Sequence, residues 1–344
     1  MTRQANKEKV ELAVTSDQDL SQLTTFGLRQ STRQYIETDT FDRLVAAIEF
    51  ARAQELPFLI MGGGSNLVFL RDYPGLVIRM TMKGIEYKAN RVSVAAGENW
   101  HRLVEDTIEN KLYGLENLSL IPGTAGAAPV QNIGAYGVEL ATFLKEVEVL
   151  DTLSLKKLTI DRQDCRLGYR DSIFKRGEKG RYIILRINLE LDTIFNPRLG
   201  YEVLRDRVSQ LESKPDAREL SRIVCDIRKQ RLPDPAEEGN AGSFFKNPLV
   251  SQEQKERLLE QFENIHCTAV GDSLYKLSAA WLIERAGLKG YSVGDAAVSD
   301  RHALVLINRG KASATELQSL YKQVIKRVDD LFGVELEPEP ELVF

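Results

Sequence analysis

The sequence has little histidine and little cysteine, three of each in 344 residues. His101, His266 and His302 lie far apart and none belongs to an HExxH pair, which argues against a histidine-rich metal site. Cys165, Cys225 and Cys267 make no CxxC pair and no even-numbered framework. A disulfide scaffold and a zinc ribbon are therefore not expected, and no metal is. There is no apolar run of about 18 residues, the length a spanning helix needs. With 46 basic and 50 acidic residues the net charge is −4, so the basic excess of a nucleic-acid binder is missing. The polar N-terminus lacks the apolar core of a signal peptide. The expectation is a reduced, cytoplasmic protein with neither nucleic acid nor membrane as partner.

What is present is ordinary globular material, 43% hydrophobic and 28% charged. The length suggests two or three domains of roughly 100–200 residues. Residues 1–20 read as a loosely held arm. Thr40 is a candidate N-cap for a helix whose Leu44, Ala47, Ile48 and Ala51 share one face. A buried strand is expected at 58–61 and another at 76–80, after the turn signals Asp72 and Pro74-Gly75. From 84 to 191 short strands recur (92–95, 147–150, 182–191) around one helix at 100–112, as in an α+β domain with a largely antiparallel sheet. Further on, a helix through Leu277, Ala280, Trp281 and Glu284 is expected to stop at Gly287, and a strand to cover 303–308. Ser313 and Glu316 make a capping box before Leu317, Leu320, Tyr321, Val324, Val328 and Leu331, and Gly333 ends that helix. The acidic tail after Gly333 alternates, but Pro338 and Pro340 confine it to an edge or an extended segment.

Five segments could carry chemistry. Gly62-Gly63-Gly64-Ser65-Asn66 follows a buried strand and could let backbone amides approach a phosphate. It is neither GxGxxG nor a P-loop, so a nicotinamide Rossmann domain is disfavoured. The second, residues 121–137, is long, small-residued and uncharged. Gly123, Thr124, Gly126, Ala127, Gly134 and Ala135 would let a backbone crowd a large flat or anionic ligand. Gln131, Asn132 and Tyr136 add hydrogen bonds and a stacking face. Arg170, in Tyr169-Arg170-Asp171-Ser172, presents a fork suited to a carboxylate, though a surface pair with Asp171 explains it as well. Ser243, in Asn240-Ala241-Gly242-Ser243-Phe244-Phe245-Lys246-Asn247-Pro248, has neither a GxSxG elbow nor a nearby histidine. A hydroxyl donor suits it better than a hydrolase nucleophile. Last, Glu335, Glu337, Glu339 and Glu341 share one face of an extended chain.

Taken in order, these segments, with Leu23-Thr24-Thr25-Phe26-Gly27 before them and Leu232-Pro233-Asp234-Pro235 among them, resemble the UDP-N-acetylenolpyruvoylglucosamine reductases of bacterial peptidoglycan precursor synthesis. The subgroup with an extra tyrosine loop is the one it looks like. The resemblance implies an α+β (mixed α/β) chain with a two-part FAD-binding region of the vanillyl-alcohol-oxidase type and a C-terminal substrate domain. That implies 1–83 and 84–219 as flavin subdomains, 220–334 as the substrate domain and 335–344 as a tail with the catalytic glutamate. It implies non-covalent FAD on the two glycine-rich loops and NADPH as reductant. Ser243 would be the proton donor, Arg170 the carboxylate partner, and Glu339, by register over Glu341, the glutamate. Tyr169, Tyr201, Arg231, Asn247 and Lys289 would be substrate contacts, and His302 stands where the family often has glutamine. A sugar or lactone oxidase of the same fold, or a non-catalytic flavin or nucleotide-sugar module, remain as other readings. The oligomeric state stays open, a monomer being compatible.

Overall fold

The computed structural model describes residues 10–262, 264–271 and 273–344. By internal packing the chain forms two units. The first is Met1–Gln18, Thr32–Gly63 and Tyr73–Val224; the second is Asp19–Ser31, Gly64–Asp72 and Cys225–Phe344. The division expected at 83/84 thus falls inside the first unit, and the one expected at 219/220 lies at 224/225, both within the helix Ala217–Arg231. Residues 19–31 and 64–72 go with the C-terminal unit, which no reading of contiguous sequence would suggest.

The first unit holds two sheets. The smaller runs in the order Thr15–Asp19, Ser31–Thr38, Tyr73–Met80, Phe58–Met61, with Tyr73–Met80 parallel to both of its neighbours. Against it packs the helix Phe41–Ala53. Its Thr40 cap accepts the Arg43 N–H, and Leu44, Ala47, Ile48 and Ala51 are buried with Ile36, Leu76 and Ile78. Two expectations change here. Residues 15–19 of the expected arm are a strand, while residues 1–9 of it lie outside the described residues. Pro74-Gly75 is strand, not turn. Leu76 N–H bonds Pro57 O, and a Cβ on Gly75 would lie 2.0 Å from that oxygen, so the glycine permits a close backbone approach.

The larger sheet is antiparallel throughout, in the order Lys156–Asp161, Leu144–Asp151, Tyr182–Glu190, Arg91–Ala95, Ile85–Lys88. The helix Trp100–Glu109, capped by Asn99, packs Trp100, Leu103 and Val104 into the core with Val92, Val94 and Val147. It stops short of Leu112 because Lys111 turns left-handed, φ +58°.

In the second unit Gly239–Ser243, Val305–Asn308, Ala296–Val298 and Ser292–Val293 form an antiparallel sheet. A three-stranded sheet, Leu249–Ser251, Leu274–Leu277, Cys267–Val270, accompanies it. Leu277 therefore ends a strand; Ser278 caps the helix, which is Ala279–Arg285. Helix Ala314–Phe332 has both capping-box bonds, and Gly333 closes it at φ +61°. Its apolar face ends differently from expectation: Leu331 is exposed and Phe332 is buried. Phe26, Leu28, Val68 and Leu70 join Phe244 and Phe245 in this unit's core. The tail beyond Gly333 is extended, with Leu336 and Pro340 buried, until Glu341–Val343 pairs in parallel with Leu67–Phe69. Among the described residues no helix is long and apolar enough to cross a membrane.

Candidate active site

In the first unit, strand Phe58–Met61 leads Gly62 and Gly63 against the second glycine-rich segment. A Cβ on Gly62 would stand 2.4 Å from Thr124 Oγ1, and one on Gly63 3.0 Å from Gly123 Cα. Gly63 thus meets the backbone of Gly123, and Gly62 packs against the Thr124 side chain, where only a glycine leaves room. Gly64, Ser65 and Asn66 belong to the second unit. Gly64 has φ +66° and its Cβ would strike Leu23 O; Ser65 O accepts from the Thr25 hydroxyl, and Asn66 O from the Glu341 N–H at 2.8 Å.

Residues 121–137 fold as two short turns, Ala125–Ala127 and Pro129–Gln131, and a hairpin of Gly134–Ala135 with Val138–Glu139. Gly126 N–H bonds Ala96 O at 2.9 Å, while Ala127 is exposed. Gln131, Gly134, Ala135 and Tyr136 are half-buried. Tyr136 and Gly137 form the hairpin loop with φ +49° and +81°, the signs of a type I′ turn. A bulky side chain is strained at such a φ. Asn132 departs from expectation. Its side chain is fully buried, donates to Glu139 Oε2 (2.9 Å) and Gly168 O (3.0 Å), and accepts the Ala141 N–H. The amide expected to meet a ligand instead holds the loop.

The Arg170 turn is fastened to this loop by three hydrogen bonds at alternate residues. The Ser172 hydroxyl donates to Val130 O at 2.6 Å, Asn132 to Gly168 O, and Arg170 Nη2 to Gly134 O at 2.7 Å. Asp171 pairs with Arg176 at 3.1 Å, so the plain reading of Arg170 as a partner of Asp171 is set aside. Arg170 sits over the Tyr169 ring, 5.6 Å from its centroid, with φ +53°. Tyr201 meets Tyr136 edge to face, centroids 5.4 Å apart. Buried Asn117, which no sequence signal marked, donates to both Tyr136 O (2.8 Å) and Arg198 O (2.9 Å) and so ties the hairpin to the tyrosine loop.

In the second unit Ser243 ends strand Gly239–Ser243 at an irregularity in its pairing, just after Gly242 at φ +72°. Buried Asn240 shapes the bend by accepting the Gly242 N–H and donating to Pro233 O and Glu238 O. That links the Leu232-Pro233-Asp234-Pro235 segment to the serine. Glu339 is close in structure: its N–H bonds Phe244 O at 2.9 Å. Asn247 Oδ1 accepts the Ala279 N–H at 2.9 Å. Lys246, unremarked in sequence between aromatics and Asn-Pro, is buried and pairs with Glu337 at 2.6 Å. Lys289 pairs with Glu284 at 3.0 Å. Burial first, then the charges of Arg231 and Lys289, push the His302 imidazole below its usual range. Its Nδ1 accepts the Leu304 N–H at 3.2 Å, so the neutral ring carries its hydrogen on Nε2.

Among the described residues no cluster of three or more His, Cys, Asp or Glu could hold a metal. Burial pushes the Cys165 thiol up to about 12, away from thiolate chemistry. The expected FAD fits the first unit on one specific count. The Thr124 hydroxyl is buried without a hydrogen-bond partner, against Gly62 and next to the close backbone approach of Gly63 to Gly123. An orphaned buried hydroxyl is costly, and an anionic pyrophosphate oxygen would satisfy it.

Comparison with known proteins agrees. Residues 32–153 match the family model described as FAD binding domain, and residues 234–343 match UDP-N-acetylenolpyruvoylglucosamine reductase, C-terminal domain. The UDP-N-acetylenolpyruvoylglucosamine reductase of Shewanella baltica is 45% identical over 328 residues, 94% of this chain and 95% of that protein. That of Chromobacterium violaceum is 44% identical over 94% of this chain and 97% of its own. The crystal structure of UDP-N-acetylenolpyruvylglucosamine reductase from Thermus caldophilus is similar with a TM-score of 0.67 and 26% identity, covering 97% of this chain and 99% of that one.

Proposed function

The chain belongs to the UDP-N-acetylenolpyruvoylglucosamine reductase family, and from that premise we propose that it reduces UDP-N-acetylglucosamine enolpyruvate to UDP-N-acetylmuramate, with NADPH as reductant, for peptidoglycan precursor synthesis. FAD, held non-covalently, supplies the hydride when bound. The observation that supports this best is the fastening of the Arg170 turn to the loop whose Thr124 hydroxyl awaits a partner. Working in the cytoplasm on small molecules, without nucleic acid or membrane, is part of the same reading.

The chain's own residues divide the work. Gly62 and Gly63, with residues 123–124, would hold the pyrophosphate of the cofactor, and Tyr136 would contact its ring. Gly64, Ser65 and Asn66 complete the first loop; the half-buried Gln131, Gly134 and Ala135 would contribute to holding the ring. Arg170 binds the substrate carboxylate, where charge grows as the double bond is reduced. A preorganised donor of that kind is worth roughly 2.7–4 kcal/mol. Ser243 gives its proton to the neighbouring carbon. Glu339, held beside the Ser243 strand by its N–H bond to Phe244 O, is the glutamate of the reaction. Tyr169, Tyr201 and Asn247 position the nucleotide sugar, while Arg231 and Lys289, the cations flanking His302, attract its diphosphate.

The test is a visible spectrum of the purified protein. NADPH should bleach a flavin band, and the enolpyruvyl nucleotide sugar should restore it under anaerobic conditions. Reduction by a simple sugar without NADPH, followed by oxygen uptake, would point instead to an oxidase.

A further inference from the structure

Lys246 is buried, 6% exposed, and the chemistry just proposed does not use it. It makes two bonds to a single residue of the tail. Its Nζ lies 2.6 Å from Glu337 Oε1, and its N–H donates to Glu337 O at 2.9 Å. Next to these, Phe245 and Pro338 form an antiparallel bridge, and the Glu339 N–H reaches Phe244 O. Residues 337–339 are thus laid antiparallel along residues 244–246, directly after Ser243.

The backbone alone specifies this register thinly. Pro338 and Pro340 have no N–H, so only alternate residues of the tail can donate. A slip by one residue would turn every side chain to the other face. It would also leave a buried ammonium without its carboxylate, a costly state. In extended chain Glu337 and Glu339 point to one face, so whatever fixes Glu337 also aims Glu339. We infer that Lys246 is a positioning residue: by pairing with Glu337 it sets the register of residues 337–339 and directs the Glu339 carboxylate. This rests on the role proposed for Glu339.

The test uses the holoenzyme with Lys246→Met, Glu337→Gln, the double variant, Lys246→Arg and Glu339→Gln. Lys246→Met should lower kcat about 10- to 100-fold, the cost of a small misplacement, with KM for the enolpyruvyl nucleotide sugar nearly constant. Flavin reduction by NADPH should not change. Glu337→Gln, at a mostly exposed carboxylate that the core does not need, should show the same kcat defect. The double variant should be no worse than either single one, and Lys246→Arg should recover most of the rate. A fall in melting temperature with kcat intact, equal loss in both half-reactions, or strictly additive defects would overturn the inference. If Glu339→Gln cuts turnover and Lys246→Met does not, the inference fails alone. If Glu339→Gln leaves turnover unchanged, the role of Glu339 fails first.

Discussion

Asn132, Tyr136 and Arg170 hold φ values of +44°, +49° and +53° within a few residues of one another in the fold. Each such non-glycine costs on the order of 1–3 kcal/mol and persists only where its surroundings over-determine it. Asparagine tolerates the conformation, and its side chain is fully used; tyrosine is strained there, and its ring packs edge to face on Tyr201. Asn-Gly is the preferred pair for a type I′ loop, so Tyr136→Asn should keep or raise the melting temperature while lowering bound FAD, read from the flavin absorbance. Loss of both together would make the ring a packing element. Ser243→Ala should leave NADPH-driven flavin reduction intact yet reduce product formation at least 100-fold, in the range of about 10²–10⁴ for a positioned proton donor. Stopped-flow measurement of the two half-reactions separates the steps, and an equal defect in both would remove the donor role.

Among elements, those written in local chemistry are legible in the amino-acid sequence alone. Thr40 and Ser313 announce their helices because a cap is a bond between near neighbours. The strand Phe58–Met61 is a plain apolar run. Features that depend on distant partners are not legible in this way. Strand Leu67–Phe69 exists because Glu341–Val343 lies beside it. The use of Asn132 inside the loop depends on Gly168 and Ala141. Nor does the sequence reveal the grouping of Arg231 and Lys289 around His302, since the three sit on separate elements. That grouping has a pH consequence. The folded state holds His302 below its ordinary value of 6.5, so it disfavours the proton that the unfolded chain accepts. The stability this ring contributes is present above pH 6.5 and is lost as pH falls through the folded value. Burial acts most strongly in that direction, Arg231 and Lys289 add to it, and Glu284 opposes them. His302→Gln should therefore flatten the fall in melting temperature between about pH 7.5 and 5; an unchanged slope would assign the acid sensitivity to other groups.

For the whole molecule, the second unit is assembled from three stretches of chain. Phe26, Leu28, Val68 and Leu70 complete its core, Asn308 donates to Phe26 O, and Gly239 leaves room for that same carbonyl. A fragment of residues 225–344 lacks all of these partners. It should bind a hydrophobic dye and melt without a cooperative transition, whereas the full chain should not. A sharp, dye-free transition in the fragment would show that the two short segments are dispensable. Sequence could mark the residue types of this core, but not that two of its segments interrupt the chain of the other unit.

The pairing of residues 67–69 with residues 341–343 also sets an order of events during synthesis. The earlier strand leaves the ribosome long before its neighbour is translated and waits with an open edge, the kind that recruits strangers. A nascent chain stalled short of Glu341 should therefore depend on chaperones in a way the finished one does not.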